Sequence, residues 1–137
     1  MGVILDSSIL VDAERRGQHV SSILEYIHTV HGEVDAGLSV VSVAELVHGA
    51  YRAKTVAVRL QRLAFIDELC LYVPVYPLTL ELARKIGRIQ GEQAAQGFTI
   101  TFEDLAIGLT ALELGFDVLT LNVRHFQLIP GLKVLSL

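Results

Sequence analysis

Between Phe98 and Phe126 the chain reads FTITFEDLAIGLTALELGFDVLTLNVRHF, and this stretch limits the folds open to it more than any other. Thr101 followed three residues later by Asp104 is a helix-start signature. Leu105 to Leu114 is apolar on almost every side, and Gly115 is a natural stop. A helix with no polar face has to be buried on all sides. Val118 to Leu121 then forms a short β-prone run with almost no linker before it, so a buried helix feeds directly into a strand. That order points to a layered α/β fold, with Asp104 in the first helical turn at the sheet edge where such folds hold ligands.

The rest of the chain repeats the theme. Val3-Ile4-Leu5 is a short apolar run ending in Asp6, with Ser7 and Ser8 offering an N-cap for a helix through Ile9, Leu10 and Val11. Val20 to Val30 has near-helical apolar spacing and is followed by Gly32. Leu38 to Val41 reads as a second strand, and Ser42 with Glu45 forms a capping box leading into Leu46, Val47 and Tyr51. Val56 to Leu69 reads as a helix carrying Arg59 and Arg62 on its wetter side, and Leu71 to Val75 as a third strand closed by Pro77. Thr79 caps a helix to about Gln96, with Leu82, Ala83, Ile86 and Ile89 facing inward. Val134-Leu135 adds an edge strand after the turn at Pro130-Gly131. Strands this short and this uniformly apolar imply a parallel sheet covered by helices on both faces.

With 137 residues, 52% of them hydrophobic, residues 1–137 suit one domain with a core that needs no covalent staple. The lone cysteine, Cys70, cannot form an intrachain disulfide, and its apolar neighbours predict a small buried core residue. No run approaches the roughly 18 apolar residues of a membrane span, and Asp6 interrupts the first apolar run before it could serve as a signal peptide. A cytoplasmic protein is the expectation. The formal charge of −4 argues against the broad electrostatic grip of a basic nucleic-acid-binding domain, while leaving Arg and Lys away from the acids free to meet phosphates.

Asp6, Glu45 and Asp104 share one setting, each close to a helix start that follows an extended or turn segment. In a parallel sheet all strand carboxyl ends lie at one edge, so the three can converge there. An acid near a helix N-terminus is favoured without any chemistry, which accounts for either capping-box acid taken singly. All three together are different. Carboxylates about 5 Å apart repel by roughly 3 kcal/mol per pair at an effective dielectric of 20, unless a proton or cation joins them. Oxygen donors without a cysteine pair or HExxH motif point to Mg²⁺ or Mn²⁺ rather than zinc.

Four segments carry a family resemblance: VILDSSIL with Asp6, SVVSVAELVHGAYR with Glu45, GFTITFEDLAIGLTALELG with Asp104, and VLTLNVRHFQLIPGL. In this order and at this length the chain resembles PIN-domain ribonucleases, most of all the VapC-type toxins of type II toxin–antitoxin pairs. The resemblance implies a three-layer PIN-like fold with a short central parallel sheet flanked by helices. It also implies bound Mg²⁺ or Mn²⁺, endonucleolytic cleavage of RNA, a cognate antitoxin and a homodimer. Asp6 and Asp104 would then be the metal ligands, with Glu45 completing a catalytic cluster directly or through water. His125 stands where many relatives carry a fourth aspartate, and Asn122 lies beside the expected site; both are accessory candidates. Glu103, about 100° round the helix from Asp104, is assigned to solvent or to a supporting role.

Arg52, Lys54, Arg59 and Arg62 form the densest basic stretch, and with Tyr51 they are the candidate RNA-binding residues. Arg15, Arg16 and Arg124 are further cations whose distance from the acids the sequence leaves open. The competing function is a catalytically silent PIN-like scaffold or protein-interaction domain, in which the acids serve as caps or bind a cation without turnover. A phospho-accepting regulatory domain ranks last, because neither Leu71 to Val75 nor Val118 to Asn122 supplies the aspartate and lysine it needs.

Overall fold

The computed structural model describes residues 1–137 and contains five parallel strands and seven helices. In chain order these are β1 (Gly2–Leu5), α1 (Ser7–Arg15), α2 (Val20–His31), β2 (Asp35–Ser39), α3 (Val40–Tyr51), α4 (Val56–Tyr72) and β3 (Val75–Tyr76). They are followed by α5 (Leu80–Ala95), α6 (Phe102–Leu114), β4 (Asp117–Thr120), α7 (Val123–Phe126) and β5 (Val134–Ser136). The strand order is β3-β2-β1-β4-β5. The chain therefore builds outward from β1 on one side, then crosses back to place β4 on the other. In parallel sheets that reversal opens a crevice above the carboxyl ends of the two central strands, here β1 and β4.

Alternation along the strands divides the core in two. Val3 and Leu5 face a cluster with Leu10, Ile23, Ile27, Leu46, Ile66 and Leu69 from α1 to α4, whereas Ile4 faces Leu82, Ile86, Leu105, Ile107 and Phe126 from α5 to α7. Leu119 and Val118 on β4 divide the same way, as the two-residue period of a strand requires. Helix α6 is buried from Leu105 to Ala111 without a break, matching the absence of any polar face in its sequence. Gly108 is what permits its close approach to the C-terminal segment: a Cβ there would lie 2.5 Å from Ile129 Cδ1 and 3.2 Å from Leu132 Cδ2. Gly115 ends α6 at φ 70°, a left-handed cap.

Several boundaries differ from the sequence reading. The expected strand Leu71 to Val75 is strand only at its last residue: α4 runs on through Leu71 and Tyr72, Val73 and Pro74 link the two elements, and β3 holds only Val75 and Tyr76. Pro74 explains the break. It disfavours helical backbone in the residue before it and has no N–H to donate, so α4 stops at the last residue free of that constraint. The second strand ends at Ser39 rather than Val41, because the Ser39 hydroxyl accepts from Val41 N and caps α3 itself. Ser42 is thus a fully buried residue inside the first turn, and Glu45 belongs to the second turn rather than to a capping box. Cys70 is exposed rather than buried, since α4 turns it away from the sheet; desolvation and the nearby Asp67 charge push its thiol pKa up. Arg59 and Arg62, expected on the wetter side of α4, are half-buried, while Leu60 is 59% exposed. Ala83 on α5 also faces solvent, and Leu82 and Ile86 carry that contact.

Candidate active site

The crevice above β1 and β4 holds an open cavity of about 420 Å³ lined by Asp6, Asp12, Glu45, Asp104 and His125, with Ser7, Ser8, Arg15 and Asn122 among its other walls. Three acids from distant parts of the chain have thus come to one place. Each arrives by a different local device. Asp6 occupies the N-cap position of α1, expected for Ser7 or Ser8, yet its carboxylate makes no capping bond. Its Oδ2 instead accepts from Ser8 Oγ at 2.7 Å and Thr120 Oγ1 at 2.8 Å, which joins the end of β1 to the end of β4. Glu45 projects from α3, and its Oε1 accepts from Ser7 Oγ at 2.7 Å. Asp104 stands at the third position of α6, where its backbone N–H donates to Thr101 Oγ1 at 3.2 Å as the capping signature predicts.

The electrostatics of the cavity are one-sided: four carboxylates face a single guanidinium, that of Arg15. Burial pushes the Asp104 carboxyl above its ordinary range, and the charges of Asp6 and Glu45 push it the same way, against the pull of Thr101 and His125. His125 Nδ1 lies 3.5 Å from Asp104 Oδ2, with Asp104 16% and His125 57% exposed. Asn122 caps nothing with its side chain; its backbone N–H donates to Thr120 Oγ1 at 2.9 Å. Glu103 is exposed on the outer side of α6, as its angular offset predicts.

In donor chemistry the cavity fits a hard divalent cation: its acidic walls are oxygen donors, and the charge that destabilises Asp104 is what a cation would neutralise. No three of the acidic or histidine side chains converge closely enough to chelate one ion together.

The basic candidates divide. Arg52 and Lys54 are exposed. Arg59 stacks over Tyr51 at 4.9 Å from the ring centroid. Arg62 ties α4 to its neighbours, donating to the Gly49 carbonyl at 3.0 Å and approaching Glu14 at 3.6 Å. Of the three remaining arginines only Arg15 reaches the cavity; Arg16 pairs with Asp12 at 3.1 Å and Arg124 lies outside it. The residues that sequence reasoning missed are the hydroxyl donors. Thr120 is the one polar side chain inside the apolar run Val118 to Leu121, fully buried at a strand's carboxyl end, and that anomaly was its signal.

A parallel sheet in this strand order, with acids gathered at its switch point, defines the class. Residues 3–131 match the family model described as the PIN domain, and the chain belongs to that family. More particularly, it is 33% identical over 136 residues to Ribonuclease VapC1 of Rickettsia felis, spanning 99% of this chain and 96% of that protein. It is 30% identical over 136 residues to Ribonuclease VapC of Rickettsia bellii, with the same shares covered. Among solved structures it is similar to VapBC2 from Rickettsia felis bound to a DNA fragment from their promoter, with a TM-score of 0.82 and 20% identity, covering 100% of this chain and 99% of that one. VapBC-1 from nontypeable Haemophilus influenzae gives 0.79 at 25% identity, covering 99% and 98%. These structural likenesses bear on the fold.

Proposed function

We propose that this protein is an endoribonuclease, dependent on Mg²⁺ or Mn²⁺, that acts in the cytoplasm as the toxin of a toxin–antitoxin pair. The observation that carries this reading is the arrival of Asp6, Glu45 and Asp104, from β1, α3 and α6, around one cavity with a single arginine among them. Full-length similarity to proteins named as VapC ribonucleases supports the choice of RNA.

Asp6 and Asp104 would hold the ion and Glu45 would act through water. Bound there, a divalent cation supplies Lewis-acid charge that lowers the pKa of a water molecule and offsets the charge of the phosphate. The protein's own part is positional. Ser8 and Thr120 fix the Asp6 carboxylate by two hydroxyl bonds, and Ser7 fixes Glu45 by one. Arg15, the sole cationic wall, is placed to meet a phosphate oxygen, while Arg52 and Lys54 would bind the flanking RNA backbone. A cognate antitoxin as partner is in keeping with the VapBC complexes that share the fold; its covering of the cavity and a homodimeric toxin complete the proposal. No helix is long and apolar enough to cross a membrane.

The test is RNA cleavage by the purified protein with Mg²⁺ or Mn²⁺, its arrest by EDTA, and its loss in Asp104→Asn with an unchanged circular dichroism spectrum. Undiminished cleavage by that variant would remove the catalytic assignment. The lack of three-way convergence among the acids favours one competing reading, a PIN-like scaffold that acts only through protein partners. Metal binding without any turnover would select the scaffold.

A further inference from the structure

Beside the acidic cavity lies a smaller one of different chemistry. It measures about 120 Å³, sits between α1, α3 and α4, and shares Val11, Arg15 and Glu45 as walls with the cavity that gathers the acids. Phe65 and Ile66 give it apolar surface, and Glu14 and Arg62 are its polar pair. Apolar cavities of about 150 Å³ take up benzene, so this space has the scale of one flat ring. The Glu14 and Arg62 side chains are only 19% and 28% exposed, yet Arg62 Nε lies 3.6 Å from Glu14 Oε2, beyond the roughly 2.7–3.2 Å of a hydrogen bond. Arg62 donates from Nη1 to the Gly49 carbonyl at 3.0 Å, which leaves its other N–H groups uncommitted. Buried polar groups ordinarily have hydrogen-bond partners, so this pair holds acceptors and donors in reserve for a ligand.

We propose that this cavity is a base-specificity subsite, which takes a guanine of the RNA next to the cut. The proposal rests on the ribonuclease reading and adds to it a choice of sequence. Guanine carries two adjacent donors, N1–H and N2–H, that meet one carboxylate bidentately, and beside them the O6 acceptor, which meets a guanidinium. Adenine, cytosine and uracil each present a single donor group on that edge and leave a Glu14 oxygen unpaired. Phe65 offers the ring face on which an unstacked base rests, the usual partner of Watson–Crick-edge recognition in single-stranded RNA. Arg15, common to both cavities, is placed to hold the phosphate between that base and the acids. Two acids and two arginines line the subsite, so a phosphate-bearing ligand meets no net repulsion there. An aliphatic side chain of a protein partner would fill the same volume but leave both charges without hydrogen bonds, which favours the base as occupant.

The experiment gives wild-type protein, Glu14→Gln and Gly49→Leu an RNA pool of random sequence with Mg²⁺ or Mn²⁺, and sequences the ends of the products. Glutamine puts one acceptor and one donor where the carboxylate has two acceptors. Gly49 lines the subsite, and a Cβ there meets nothing within 4 Å, so leucine occupies the space from a helical position that it favours over glycine. Both variants are therefore expected to fold, and circular dichroism checks this. The expected result is guanine at one fixed position beside the cut, at least about fivefold above each other base in the wild type and within about twofold in both variants, fivefold being the lower end of what a bidentate base contact discriminates. This ratio is read among the cuts made and does not depend on total activity. Cleavage without base preference, or a guanine preference that survives in either folded variant, would overturn the subsite and leave the ribonuclease standing. An unchanged preference together with lost binding of a co-expressed antitoxin would assign the cavity to that protein and overturn the proposal equally. A wild type that cuts no RNA at all would instead remove the ribonuclease reading, and the subsite with it.

Discussion

Thr120→Val replaces a fully buried hydroxyl by a methyl of similar size and so isolates what that oxygen does. In the native protein Thr120 Oγ1 donates to Asp6 Oδ2 at 2.8 Å and accepts from Asn122 N at 2.9 Å, bridging the carboxyl ends of β1 and β4. A hydrogen bond to a charged group contributes about 1.5–3 kcal/mol to stability, and Ser8 still donates to the same carboxylate oxygen at 2.7 Å, so the expected loss is about 2 kcal/mol. For a chain of 137 residues the unfolding entropy of about 2.1 cal/mol/K per residue converts this to a fall in Tm of roughly 7 °C. Thermal melting in EDTA reads that number without reference to activity. Cleavage reads the second consequence: with one of its two restraints gone, Asp6 loses its fixed position, and kcat should fall by at least about tenfold, since displacements near 1 Å cost up to about a hundredfold. Thr120→Ser retains the hydroxyl and should restore most of both. Ser8→Ala combined with Thr120→Val should lose more than the two single changes added together, because both donors serve one oxygen. A Thr120→Val protein that melts within 1 °C of wild type, or cuts RNA at the wild-type rate, would refute the idea that these hydroxyls position the acid.

Four further outcomes follow from the same structure. Asp104 binds its proton in the folded protein at pH values where the unfolded chain, with an ordinary value of 3.8, has lost it. Its stabilising contribution is therefore present below 3.8 and declines as pH rises through the higher folded value, so metal-free Asp104→Asn should melt above wild type at pH 7 and show a shallower decline across that window. A lower melting temperature for the variant would contradict the assignment. Arg62→Ala should lower stability by about 1 kcal/mol through the lost bond to the Gly49 carbonyl, measured by urea unfolding. Arg52→Ala and Lys54→Ala, at exposed positions, should leave unfolding unchanged and instead reduce the salt slope of RNA binding by about 0.7 each. Gly108→Ala should destabilise by about 1–3 kcal/mol, because the added methyl forces aside Ile129 and Leu132, and an unchanged urea midpoint would show that the C-terminal segment yields freely.

Much of this protein can be read from local pattern. The unbroken apolar run of α6, its Thr101 cap and its Gly115 stop are short-range signals, and the structure reproduces all three. The acids at 6, 45 and 104 could be singled out because each stands close to a helix start beside a strand or turn, a relation written within a few residues. Where two local signals competed, the sequence reading went astray. Ser39 and Ser42 both qualify as caps for α3, and the pairing of β2, which ends with Ser39 beside Tyr76 of β3, selects the first. Likewise Leu71 and Tyr72 have a strand's composition but continue α4, because Pro74 sets the helix end and no sheet partner lies beside them.

What no local pattern could supply is distance between remote residues. The sequence alone determined which residues carry charge, where helices begin, and that the sheet is parallel with both faces covered. Only the tertiary structure decided that β1 and β4 are neighbours, and hence that Thr120 bonds Asp6 across 114 positions of chain, and that α1 packs on α3 so that Ser7 bonds Glu45 across 38. It also decided that Arg15 faces the acids while Arg62 is spent on Gly49 and Glu14. The physical reason is that strand order and side-chain direction are settled by burying two apolar faces at once, a global requirement that short-range preferences leave open.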